Sequence, residues 1–499
     1  MDGYTRSGSY AKSIPGILAK MAVMYVPCFS SSWSTSVRET SSPRVSRCHT
    51  RWKTRRLREA QAWTLAQERS DGEGTRGSVL AQTAGGPAWI RRAERSRWCD
   101  LTSTPPDELQ PDETPRDHLR PNRWLGLLPL IHFVREVVGE VAWKPPPLRA
   151  AYIFDDPNLH AARYGFIRFQ ELVDHARTHG YHASLASIPI DYVFAANRAT
   201  GIIRGNPDFV SISVHGNNHV VNELGRSRSD HDALATAAQA LRRASAFEAR
   251  TGVEVSRVMV PPFEVCNETM MRALLRVGFE GICTETPFHK RSGISVPAEW
   301  LLAEWHPADF VAGGLPALPR YPLGRDPDEV VLRAYLDQPL LLFGHHDDLA
   351  DGLEILANRA ALISSLGEVS WLSLGHVSRS NYLRNRNGSR LRLCPLSRQV
   401  VLEEMDGVEE MVIELLPTVS APVDLRLTTE GRTVVSTTMG AGRVARVAGP
   451  FSGSVAIELR PLDLIAAESV ASPAWRPWPV VRRLMTETRD QAAPLRHRA

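Results

Sequence analysis

The sequence predicts an α/β fold over 123–387, a small antiparallel β domain after it, and a basic segment without a core before it. Four times between 169 and 371 a helix-like run ends in a glycine, at Gly180, Gly252, Gly278 and Gly367. Each passes at once into an apolar, strand-like run. Glycine tolerates the left-handed backbone of a helix C-cap, and helices alternating with short apolar strands make a parallel sheet, open or closed into a barrel. After about 388 the helical period gives way to short valine-rich alternating runs separated by Gly, Pro or acidic turns.

Residues 1–122 are rich in Ser, Arg, Thr and Gly and carry no sustained period, so they are expected to be disordered. The first hundred residues hold 17 Lys and Arg against 8 Asp and Glu, and the rest of the chain 42 against 47. The basic balance therefore belongs to this segment, and no nucleic-acid partner is expected for the folded part. Within 124–139, His132, Arg135 and Glu136 interrupt the apolar run, so an amphipathic helix is expected and not a transmembrane one. The apolar run 14–28 is split by Lys20 and is followed by no clear cleavage site, which reads as a soluble, cytoplasmic protein. Cysteines 28, 48, 99, 266, 283 and 394 show no C-x-x-C spacing, so neither a disulfide scaffold nor a thiolate zinc site is indicated. The runs over 388–465 read as a β sandwich, and 478–491, within the tail 466–499, as a docking amphipathic helix.

Chemistry concentrates where the strands of the α/β region end, the place where loops of such folds converge. One strand ends in Asp155 and Asp156, a second in His215 with His219 four residues on, a third in Pro262, Phe263 and Glu264, and a fourth in His345, His346, Asp347 and Asp348. Adjacent carboxylates repel, and a cation relieves that cost. Carboxylate plus imidazole is the ligand set of a divalent ion such as zinc. One aspartate can ligate while the other accepts a proton. His345 or His346 can donate one near neutral pH, with Asp347 or Asp348 orienting the ring or capping the helix that follows.

These residues resemble the polysaccharide deacetylase family, carbohydrate esterase family 4, whose members share a nodulation-type deacetylase domain. Phe154, Asp155 and Asp156 match its first motif and His215 and His219 its second, while Leu342 through His345 or His346 match a later one. The 123–385 segment is similar to a bacterial subfamily of polysaccharide-deacetylase-like proteins. The resemblance implies a distorted (β/α) barrel and one divalent metal, zinc by preference, held by Asp156, His215 and His219. It also implies that Asp155 acts as base, that His345 or His346 acts as acid, and that an N-acetyl group on an amino sugar, polysaccharide or glycoconjugate is removed.

Two family features depart. In the Arg-x-Pro-aromatic motif, Pro262 and Phe263 are present, but position 260 is valine, Arg257 lies three residues too early, and Glu264 stands where a small residue is expected. The aspartate–tryptophan motif is echoed by Trp300, or by Trp305 through Asp309. The absent arginine favours the alternative of a catalytically silent, carbohydrate-binding relative.

Overall fold

The computed structural model describes residues 64–65, 77–83, 86–94, 97–103, 118–119 and 123–138, and then 143–497 apart from 227, 286–306, 312, 417–418, 420, 430 and 441. The run 14–28, Cys28, Cys48, Trp300 and Trp305 lie outside the described residues. Two compact units result, divided near Trp143.

In the first unit, described strands stand within the segment expected to be disordered. Gly77–Thr83, Gly86–Glu94 and Arg97–Thr102 form an antiparallel meander, and the helix Leu128–Val138 follows. One basic side chain of the stretch finds two acidic partners. Arg91 pairs with Asp100 at 2.8 Å and with Glu136 at 2.5 Å, while Ala81 and Trp89 are buried. Net charge gives no view of such pairing.

The second unit is built on parallel strands β1 (Leu148–Asp155), β2 (Ala183–Ser187), β3 (Val210–His215), β4 (Val255–Val260) and β5 (Gly281–Thr284), hydrogen-bonded in that order. β6 (Leu315–Pro319) pairs with β5 and, past Arg320, Tyr321–Pro322 pairs with β7 (Leu340–Gly344), which returns to β1. One bent segment thus bridges both edges and closes a distorted (β/α) barrel, as expected. A register shift between Ser256 and Met259 adds to the distortion.

β1 is apolar from Ala150 to Phe154 because both its faces are covered there, and all five residues are buried. The outer helices start on side-chain caps, Ser229 for Asp230–Thr251 and Asn267 for Glu268–Val277. Three of the four glycines are left-handed C-caps, at Gly180, Gly252 and Gly278. The fourth, Gly367, lies beyond the end of its helix, Glu354–Ser364.

The C-terminal β region, Tyr382–Pro461, holds two four-stranded sheets. All its pairs are antiparallel except Arg390–Pro395 with Val408–Glu414. Alternate residues such as Leu425, Leu427 and Ile457 are buried, as the valine-rich alternation requires. The chain ends in the helix Trp478–His497.

Candidate active site

The ends of β1 and β3 and the loop behind β3 create one cluster. Asp155 continues the strand and is buried, whereas Asp156 has a φ of 73°, so the backbone turns and the two carboxylates part. His215 closes β3. Its Nδ1 lies 3.0 Å from the carbonyl of Val260, which fixes that nitrogen as the donor and leaves Nε2 facing Asp156 Oδ1 at 3.7 Å. His219 Nε2 approaches the same oxygen to 3.1 Å.

The loop carrying His219 is shaped by two devices. Gly216 has a φ of 63°, and a Cβ there would lie 2.6 Å from the Pro262 ring. Glu223 is buried and accepts the backbone N–H groups of Asn217, Asn218 and His219 at 2.9–3.0 Å. Phe263 packs on the His219 ring, with centroids 5.3 Å apart.

Asp156, His215 and His219 fit a divalent ion. They offer ligand atoms that all lie within 4.8 Å of one another. Asp156 Oδ1 is buried and receives no hydrogen bond of proper geometry, although two imidazole nitrogens face it. An orphaned oxygen facing two nitrogens is the arrangement that a shared cation satisfies. Burial holds His215 down to about 4, against the pull of Asp155, so its ring is neutral at pH 7 as a ligand must be. Burial opposes ionisation of Asp156, but His219, His215 and Arg483 outweigh it and lower its pKa.

The group on Asp155 corrects the sequence reading. Arg257 sits on the outside of the barrel, paired with Glu248 at 2.5 Å, and Val260 supplies no charge. Instead Arg320, at the bend between the two halves of the closing segment, grips both oxygens of Asp155, at 2.8 and 2.7 Å. Arg320 is fully buried, lies 4.0 Å from the Phe343 ring centroid, and also pairs with Glu264. The unexpected Glu264 is thereby explained. It balances Arg320 and accepts from Thr284 Oγ1 at 3.0 Å and from the Glu285 N–H at 2.6 Å. Burial disfavours charge on Asp155, but Arg320 and then His215 outweigh it and hold the carboxyl down to about 2.

The two late histidines separate. His345 is exposed, its backbone N–H donates to Asp348 at 2.7 Å, and its charge favours ionised Asp155. His346 is buried between Tyr164 and Phe166, against the backbone of Gly165, where a Cβ would come within 2.5 Å of the ring. Its Nδ1 lies 3.0 Å from Asp347, and its Nε2 is 3.7 Å from Asp490.

Asp490 belongs to the C-terminal helix, which crosses the mouth of the barrel. Arg482 donates to the His219 carbonyl, and Arg483 pairs with Asp191 at 2.7 Å and stands 3.9 Å from Asp156 Oδ1. Glu487 meets His160 at 2.8 Å, and Asp490 accepts the Tyr164 hydroxyl at 2.5 Å. Sequence reasoning missed Glu223, Arg320, Asp191, Arg483 and Asp490. A lone arginine inside the apolar run 315–323 was the one local signal for Arg320.

A distorted barrel with Asp156, His215 and His219 gathered at its mouth is the architecture that the sequence resemblance implies. No protein-family model matches the chain, and no curated protein matches it. Among solved structures it is similar to a putative polysaccharide deacetylase from Mycobacterium smegmatis, at 17% identity over 47% of this chain and 93% of that one, with a TM-score of 0.32. It is also similar to a family 4 carbohydrate esterase from Streptomyces lividans in complex with acetate, at 13% identity over 45% and 89%, with a TM-score of 0.26. A third is the Xyl-CE4 domain of a multidomain xylanase from the hindgut metagenome of Trinervitermes trinervoides, at 12% identity over 46% and 90%, with a TM-score of 0.28.

Proposed function

We propose that the protein is a metal-dependent hydrolase that removes an acyl group, by preference N-acetyl, from an amino sugar, polysaccharide or glycoconjugate. One observation carries this reading: three ligand atoms within 4.8 Å of one another, beside a carboxylate clamped by a buried arginine. Asp156, His215 and His219 hold the ion, zinc by preference. When bound, that ion polarises the scissile carbonyl and acidifies a water molecule.

Asp155 takes the proton. The bidentate Arg320 fixes the plane of the carboxylate and keeps it ionised, so it meets the attacking water as a base in one orientation. His345, exposed on the loop that follows β7, protonates the departing amine. His346 is turned toward Tyr164 and Asp490 and holds the loop from behind. Pro262 and Phe263 wall the His219 side, and Asp347 and Asp348 fix the two histidines.

The silent-relative alternative drew its support from a missing arginine, and Arg320 removes that support. Acetate release from acetylated amino sugars, measured with metal content, tests the proposal. Asp155→Asn is expected to keep the metal and lose about a thousandfold or more in turnover. His219→Ala is expected to lose the metal itself. Parental metal content in His219→Ala, or parental turnover in Asp155→Asn, would refute the assignment.

A further inference from the structure

We propose that the mouth face of the barrel docks on an anionic lipid bilayer, through the outer stripe of the C-terminal helix and the loops beside it. This stands independently of the hydrolase reading. The helix is polar on its inner face, where Arg483, Glu487 and Asp490 meet the barrel loops. Its outer face carries Trp478, Val481, Leu484 and Met485, all exposed, with Trp475 just before it 79% exposed. An amphipathic helix normally buries such a stripe. Here it faces outward, at a spacing of three to four residues.

The apolar surface continues past the helix. Val193 and Phe194 in the segment after β2, Val221 after β3 and Phe263 after β4 are also exposed. A cavity of about 1280 Å³ joins several of these groups, with Trp475, Trp478, Phe194 and Val221 in its lining.

Charge complements that surface. Arg226, Arg228, Arg243, Arg250, Arg476 and Arg482 line the cavity, against Glu223 and Asp232. Glu223 is already taken by three backbone N–H groups. Five of the arginines donate to backbone carbonyls: Arg226 to Val221, Arg228 to Glu223, Arg243 to Asn217, Arg250 to Tyr192 and Arg482 to His219. No carboxylate of a described residue forms a salt bridge with any of these five. Carbonyls position a guanidinium without cancelling its charge. Tryptophan and arginine interleaved on an apolar face are what a headgroup layer accepts, rings at the acyl boundary and cations at the phosphates. Val481, Leu484 and Met485, outside the cavity lining, favour a lipid surface over a soluble anionic glycan. Among the described residues no helix is long and apolar enough to cross a membrane, so the contact is interfacial.

Co-sedimentation of the full chain with phosphatidylcholine vesicles, with or without phosphatidylglycerol, tests this. Binding is expected only with the anionic lipid, weakening with salt. Trp475→Ser with Trp478→Ser, Leu484→Ser with Met485→Ser, and Arg226→Glu with Arg476→Glu should each reduce it about tenfold or more. Thermal midpoint and metal content should be unchanged, since these positions are exposed. Three results would overturn the proposal: no sedimentation with either vesicle, sedimentation of all three variants as the parent (binding then belonging to the basic N-terminal segment), or saturable binding of an acidic oligosaccharide to this face without vesicle binding.

Discussion

Asp156, His215 and His219 come from the ends of β1 and β3, the two strands that flank β2, and the residue that shapes the second loop, Glu223, lies four positions from His219. The groups that hold Asp155 and Tyr164 come from far away. Arg320 is 165 positions from Asp155, and Asp490 is 326 from Tyr164. The ligand half of the site is thus locally encoded, while the orienting half is assembled only when the barrel closes and the last helix docks. The ligand half should respond to substitution through metal affinity, and the orienting half through the stability of the fold.

Arg320→Met gives the largest expected effect. It leaves Asp155 and Glu264 buried without their counter-charge, and breaking a buried pair in this way costs about 3–5 kcal/mol. Urea unfolding of metal-free protein is the measurement, because it isolates this half from ligand binding. A loss below about 1 kcal/mol would place Arg320 outside the structural balance of the barrel. Asp155→Asn combined with Glu264→Gln should recover part of the loss in the Arg320→Met background, since both stranded charges are then gone.

Glu223→Ala comes next. Three N–H groups of the loop 217–219 lose their acceptor, His219 loses its fixed entry angle, and divalent metal affinity should fall about 10–100-fold. Titration with zinc under a competing chelator reads this directly. Unchanged affinity would mean that the positive φ of His219 is held by the surrounding packing alone.

What could be read from the sequence follows the same division. The helix–glycine–strand units, Asp155 with Asp156, and the His215–His219 spacing are short-range patterns, and each has its place in the barrel. Arg320 was not legible, because the bend that aims it at Asp155 exists only where Leu315–Pro322 bridges β5 and β7. Glu264 could be read only as an anomaly until its partner from the far side of the barrel was visible. The meander 77–102 was missed for a related reason, since net charge conceals the pairing of Arg91 with Asp100 and Glu136.

The smallest expected effect lies in the orienting half, at the His160–Glu487 contact that ties the last helix to the β1 loop. Burial works against charge on His160, but Glu487 at 2.8 Å, with Asp191 behind it, outweighs burial and raises its pKa. Burial likewise opposes ionised Glu487, but the His160 hydrogen bond and charge, helped by Asn158 and Arg483, prevail and lower its pKa. The His160 contribution is complete below the unfolded histidine value of about 6.5 and is lost as pH rises through its raised folded value. The Glu487 contribution is complete above the unfolded glutamate value of about 4.3 and is lost as pH falls through its lowered folded value. Helix docking should therefore be firmest between those two unfolded values and weaken on both sides, by about 1 kcal/mol or less for a partly exposed pair. Amide hydrogen exchange over 478–494, corrected for intrinsic rates and compared with β1, measures it. Protection of the helix that follows β1 at every pH would show that the helix is held by Arg483 and Asp490 without help from this pair.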